Sequence, residues 1–100
     1  MEREIKRKVI QLARELKKVL EENLPKDPKL AKEGMARAGE ICQELNSMGI
    51  HVEWESSIDI TTGKISVVVD LRSPKANMTE EEKKMYDRWF QKVNGIKPLD

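Results

Sequence analysis

Apolar residues recur along the start of the chain at alternating spacings of four and three. Ile5, Val9, Leu12, Leu16 and Val19 form one narrow stripe, the period of a helix with a single buried side. Ala13 and Leu20 flank the stripe, and Ile10 points elsewhere. The spacing predicts a helix over residues 2–23. "NLPKDP" breaks it, and Asp27 followed by Pro28 has the form of an N-cap with proline in the first turn. A second helix is expected to run to about Met48 and stop at Gly49. Its apolar face is Leu30, Gly34, Ala38, Ile41, Leu45 and Met48. A glycine inside a helix costs roughly 1 kcal/mol against alanine. Gly34 at the centre of this face therefore predicts close approach of the first helix, as an antiparallel αα-hairpin.

From Ile50 the period falls to two. Ile50, Val52 and Trp54 alternate with His51, Glu53 and Glu55, and Ile58 and Ile60 keep the phase. After "TTGK" come Ile65, Val67, Val69 and Leu71, so two strands around a turn are predicted. If both apolar sets share a face, Ile60 lies opposite Ile65, Ile58 opposite Val67 and Trp54 opposite Leu71. The turn fits either a two-residue Thr62-Gly63 loop or a four-residue one, and Ser56-Ser57 leave room for a bulge. "SPKANM" reads as a linker. Thr79 with Glu82 three residues on is a capping box. It opens a third helix to about Asn94, with Gly95 as its stop. That helix has Met85, Trp89, Phe90 and Val93 on its apolar face and Tyr86 alongside. The predicted class is α+β, a single domain over residues 1–100 in the order α-α-β-β-α. The helical hairpin and the C-terminal helix pack on one face of an antiparallel β-hairpin.

Charge alters this picture little. Charged residues make up 37% of the chain, but 19 basic and 18 acidic residues nearly cancel. No global field steers the protein toward nucleic acid or an anionic membrane. The single Cys42 excludes an internal disulfide and fits a reducing compartment. No run approaches the roughly 18 apolar residues of a membrane span, and "MEREIKRKVIQLAREL" lacks the apolar core of a secretory signal. A cytoplasmic protein with no membrane segment is expected. Aromatics are 4% of the residues, and Trp54 and Trp89, each in phase with an apolar set, are expected to be buried.

Candidate chemistry is sparse. His51, the only histidine, falls on the polar face of the first strand beside Glu53 and Glu55 and reads as a solvated strand residue. Cys42 lies on the flank of an apolar face and reads as a small buried hydrophobe. No metal-ligand spacing, phosphate loop or nucleophile elbow occurs. No catalytic residue, cofactor or metal site is assigned, and a non-catalytic role is expected. The expected register sets Glu55 opposite Asp70, Glu53 opposite Arg72 and Asp59 opposite Ser66. Glu55 and Asp70 repel unless a cation, joined by His51 and with Glu53 nearby, relieves them; screening by solvent, or a bulge at Ser56-Ser57 that shifts the pair out of register, is the expected answer.

Two surfaces remain. On the first helix Arg3, Arg7, Arg14 and Lys18 share a sector opposite the apolar stripe, a face that could track phosphates, although Glu4, Glu15, Glu21 and Glu22 border it. The hairpin itself is acidic and does not suit a nucleic-acid groove. Its second strand has no proline or lysine to blunt its edge and carries Val68 on the outer face. Self-association through Ser66, Val68 and Asp70 is expected, as a twofold homodimer or with a partner strand. The leading expectation is thus a small protein-interaction or regulatory domain. A nucleic-acid-binding accessory protein that uses the first helix is the alternative.

Overall fold

Capping chemistry sets the helix boundaries. The computed structural model describes residues 3–72 and 78–98, and within them five elements follow the expected order. Helix α1 spans Arg3–Asn23, α2 Pro28–Ser47, strand β1 Glu53–Ile58, β2 Ile65–Asp70 and α3 Glu80–Asn94. Asp27 caps α2 by accepting from the Lys29 N–H at 3.0 Å. The Ile50 N–H reaches back to the Leu45 carbonyl at 3.0 Å and closes the other end. Thr79 and Glu82 form the reciprocal capping box of α3, and Gly95 ends that helix in the left-handed conformation. Most of the "SPKANM" linker, residues 73–77, lies outside the described residues.

Helix α1 is the centre of the molecule. It packs against α2 on one side and against β2 and α3 on the others, while α2 touches neither strand. The buried sector of α1 is therefore wider than a single stripe. Ala13 and Leu20, expected at its flanks, are fully buried with Val9 and Leu16, whereas Ile5 at the open end is exposed. Gly34 of α2 does mark a close approach: a Cβ there would run into the side chain of Asn23. Asn23 is itself buried and donates to the Val19 carbonyl at 2.7 Å. Ile41 and Leu45 of α2 enter the core as expected, but Leu30 stays exposed and Ala31 takes the buried place.

The turn corrects the expected register. Asp59 Oδ1 accepts from the Thr61 N–H at 2.9 Å, and the Asp59 carbonyl accepts from the Gly63 N–H at 2.7 Å. Gly63 takes φ 72, a left-handed conformation that costs glycine little. The loop thus has four residues, 60–63, one position earlier than a four-residue loop in the expected register, and is closed by the Asp59 N–H on the Lys64 carbonyl at 2.9 Å. Ile60 sits in this loop and is 98% exposed. The strands therefore pair Ile58 with Ile65, Ser56 with Val67, Trp54 with Val69, Glu55 with Val68 and Glu53 with Asp70, without a bulge. Ile60 has left the sheet and the remaining pairs have slipped by two residues, an even slip that keeps the strand side chains on their expected faces.

Face and burial part company on β1. Val67 and Val69 are buried under α1 and α3, but every residue of β1 is exposed. Strand β1 touches β2 and no helix. Trp54, expected to be buried, is 38% exposed because the helices lie over β2 and stop short of it; Trp89 is 3% exposed, as expected. Trp89 meets Tyr86 edge-on, with ring centroids 5.1 Å apart. Among the described residues no helix is long and apolar enough to cross a membrane.

Candidate functional site

The two edges of the hairpin differ. On β2 the Val67 N–H donates to Glu21 Oε2 of α1 at 3.0 Å. The Val69 N–H donates to Asn94 Oδ1 of α3 at 2.9 Å, and Asn94 Nδ2 returns a bond to the Val69 carbonyl at 2.8 Å. Backbone groups alternate in direction along a strand. Those of Ser66, Val68 and Asp70 therefore point toward β1 and serve the ladder. The edge expected to be open on β2 is filled by side chains from two helices. The open edge is that of β1, where the backbone groups of Trp54, Ser56 and Ile58 point outward.

Glu21 acquires its position from charge. Burial pushes its pKa up, but the Lys17 ammonium at 2.8 Å and the Val67 N–H outweigh this and hold the carboxyl below its ordinary value. A carboxylate at this edge thus works as a fixed acceptor for a strand.

On the outer face of the hairpin the acids are answered from within. Glu53 lies opposite Asp70, but the Arg72 guanidinium grips Asp70 through Nε and a terminal nitrogen, each at 3.1 Å. The same guanidinium stacks 5.3 Å above the Phe90 ring. His51 Nε2 is shielded from solvent and lies 2.9 Å from Glu53 Oε1 without a hydrogen bond between them. Of the four residues weighed for a cation, Asp70 is thus held by Arg72, Glu55 faces Val68 and His51 lies beside Glu53, and among the described residues no three such groups gather to hold a metal ion. A groove of about 250 Å³ beside β1 is lined by Trp54, Val68, Phe90 and Ile96 together with Glu53 and Glu55. Cys42 packs against the core, and burial pushes its thiol pKa up.

The basic residues of α1 also separate. Arg14 Nε donates to the Lys92 carbonyl near the end of α3 at 3.1 Å, a favourable place for a cation. Lys18 is exposed and stands apart. Arg3 and Arg7 enter a cleft of about 370 Å³ between α1 and α3, together with Lys6, Arg88 and Lys92. Sequence reasoning passed over the last three. Their signal is the spacing of Met85, Arg88, Trp89 and Lys92, which repeats that of Arg3, Lys6, Arg7 and Ile10. It becomes visible only once the two helices are known to be neighbours. Compared with known protein families, curated proteins and solved structures, the chain matches none.

Proposed function

We propose that the chain is a small non-catalytic protein-interaction domain that pairs with a second copy of itself through β1. The observation that supports this most is the asymmetry of the edges. The edge of β2 is closed by Glu21 and Asn94, whereas β1 has an open row of backbone groups and exposed Trp54 and Ile58 beside it. An exposed strand with apolar side chains is a template for another strand.

The sequence of β1 suits a twofold axis at Ser56. Antiparallel pairing there sets Trp54 against the partner's Ile58 on either side of the axis. Every exposed apolar side chain of the strand then gains an apolar neighbour, and the small Ser56 meets itself on the axis. Aromatic–aliphatic cross-strand pairs of this kind contribute roughly 0.2–1 kcal/mol each. The product is a four-stranded sheet with both helical layers on the same face. Glu53 would face the partner's Asp59, a like-charge contact that weakens the pair at low salt.

Sedimentation of the full chain at about 100 μM tests this, a concentration inside the micromolar-to-millimolar range of weak pairing. A dimer is expected. Ser56→Pro removes an outward N–H without touching the β1–β2 ladder, an accepted place for proline. Combined with Ile58→Lys it should give a folded monomer. A monomer in the unmodified chain would exclude the self-paired reading.

A further inference from the structure

The net charge of +1 conceals an uneven distribution. Elsewhere cations are met by acids: Lys8 with Glu44, Lys17 with Glu21, and Arg37 with Glu15 and Glu40. The cleft between α1 and α3 is different. Five cations line it, Arg3, Lys6, Arg7, Arg88 and Lys92, and among the described residues no acidic one does. None of the five makes an ion pair among the described residues. Of the described acids near it, Glu81 and Glu82 lie past Lys6 and Arg88 toward the start of α3, where Glu82 is engaged in the capping box, and Glu4 borders the basic side of α1.

Like charges gathered in a concave site repel one another, and the low-dielectric walls focus their field outward. The floor here is Ile10, Met85 and Trp89, and Trp89 is buried. An anion in the cleft would meet a ring of donors over an apolar base. The basic side of α1 extends about 10 Å from Arg3 to Ile10 at the helical rise, and α3 supplies a parallel row.

We propose that this cleft binds the phosphate backbone of double-stranded nucleic acid without reading its sequence. Three features favour that occupant. Arginine and lysine are the groups that displace counterions from phosphates. The lining has no exposed amide or hydroxyl side chain to read base edges, so contacts position and do not specify. It has no exposed aromatic ring on which unpaired bases would stack, which favours duplex over single strand. A membrane surface fits less well, since an interfacial helix buries an exposed apolar face in lipid and the apolar residues here belong to the core.

The test is fluorescence anisotropy with the full chain and two labelled duplexes of about 20 base pairs and unrelated sequence, at about 50 mM salt and upward. Micromolar binding of both is expected, with a log–log salt slope of up to about −4.5 for five neutralised phosphates. Arg7→Glu with Arg88→Glu should weaken binding about ten-fold or more. Lys29→Glu with Lys32→Glu, the same charge change on α2, should leave it within about two-fold. All four positions are exposed, and far-UV circular dichroism should show unchanged helix in both variants. Absence of binding at about 100 μM would overturn the proposal. Equal loss in the α2 variant would also overturn it, because net charge alone would then account for the affinity. Binding to phosphatidylserine vesicles with none to the duplexes would replace the occupant by a lipid surface.

Discussion

The side-chain amide of Asn94 pairs with both backbone groups of Val69, its Oδ1 accepting at 2.9 Å and its Nδ2 donating at 2.8 Å. An amide side chain at the end of a helix thus acts as the next strand for a single residue. Nδ2 also donates to the Phe90 carbonyl at 3.0 Å, so the rotamer is held from its own helix. Glu21 does the corresponding work for Val67 from α1. Together they close the edge with groups supplied by the layers that cover its face.

Asn94→Ala should leave the Val69 N–H and carbonyl without partners. A part-buried backbone group left unsatisfied costs about 1–3 kcal/mol, and the variant should lose stability of that order in urea melts. It should also associate more strongly than the parent, because it opens a second strand edge. A stability change below about 0.5 kcal/mol would show that water replaces the amide without loss.

The two tryptophans should respond unequally. Trp89 is 3% exposed and touches α1 and Tyr86, whereas Trp54 is 38% exposed on a strand that no helix covers. Trp89→Ala should cost about 3–5 kcal/mol. Trp54→Ala should cost about 1 kcal/mol or less in the monomer while weakening self-association. Urea melts at low concentration with sedimentation at high concentration separate the two effects.

Acid should weaken the fold partly through Glu21. Its carboxyl is held below the ordinary value, so the unfolded chain takes up that proton at higher pH than the folded one. The resulting stabilisation is complete above an unfolded value near 4.5 and is lost as pH falls through the lowered value. Glu15, held down by its hydrogen bonds to Arg37, contributes in the same direction. Glu21→Gln should therefore lower stability at neutral pH and flatten part of the loss seen between about pH 5 and pH 3. Urea midpoints across that range check the slope. An acid limb identical to that of the parent would remove Glu21 from the account.

What the sequence made legible was whatever rests on local chemistry. The Asp27–Pro28 start, the Thr79–Glu82 box and the Gly95 stop need only neighbours in the chain, and each falls where its spacing sets it. Gly34 was legible as a contact because glycine in a helix face needs a reason, though not that Asn23 is what occupies the space. The strand register was not, because it hangs on the Asp59 side chain and the left-handed Gly63 closing a four-residue loop. Alternation told which face Trp54 joins but not whether a helix reaches over it. Glu21 and Asn94 are polar residues on helices to which spacing alone gives no contact, and only the tertiary arrangement turns them into edge caps. The α3 half of the basic cleft was hidden for the same reason: Arg88 and Lys92 acquire meaning from Arg3, Lys6 and Arg7 across a helix pair, not from their own segment.

Strand β1 rests on one ladder and a turn, and this divides the molecule into two tiers of hydrogen exchange. The amides that β1 shares with β2 are released when that strand peels away, an opening that leaves the helices and Val67 and Val69 in place. The core amides of α1 wait for a much larger event. Denaturant melts followed through Trp54 and through Trp89 should then separate at low concentration, since two-state behaviour requires all probes to move together. Peeling of β1 would also uncover the ladder side of β2, the one set of backbone groups that neither Glu21 nor Asn94 guards.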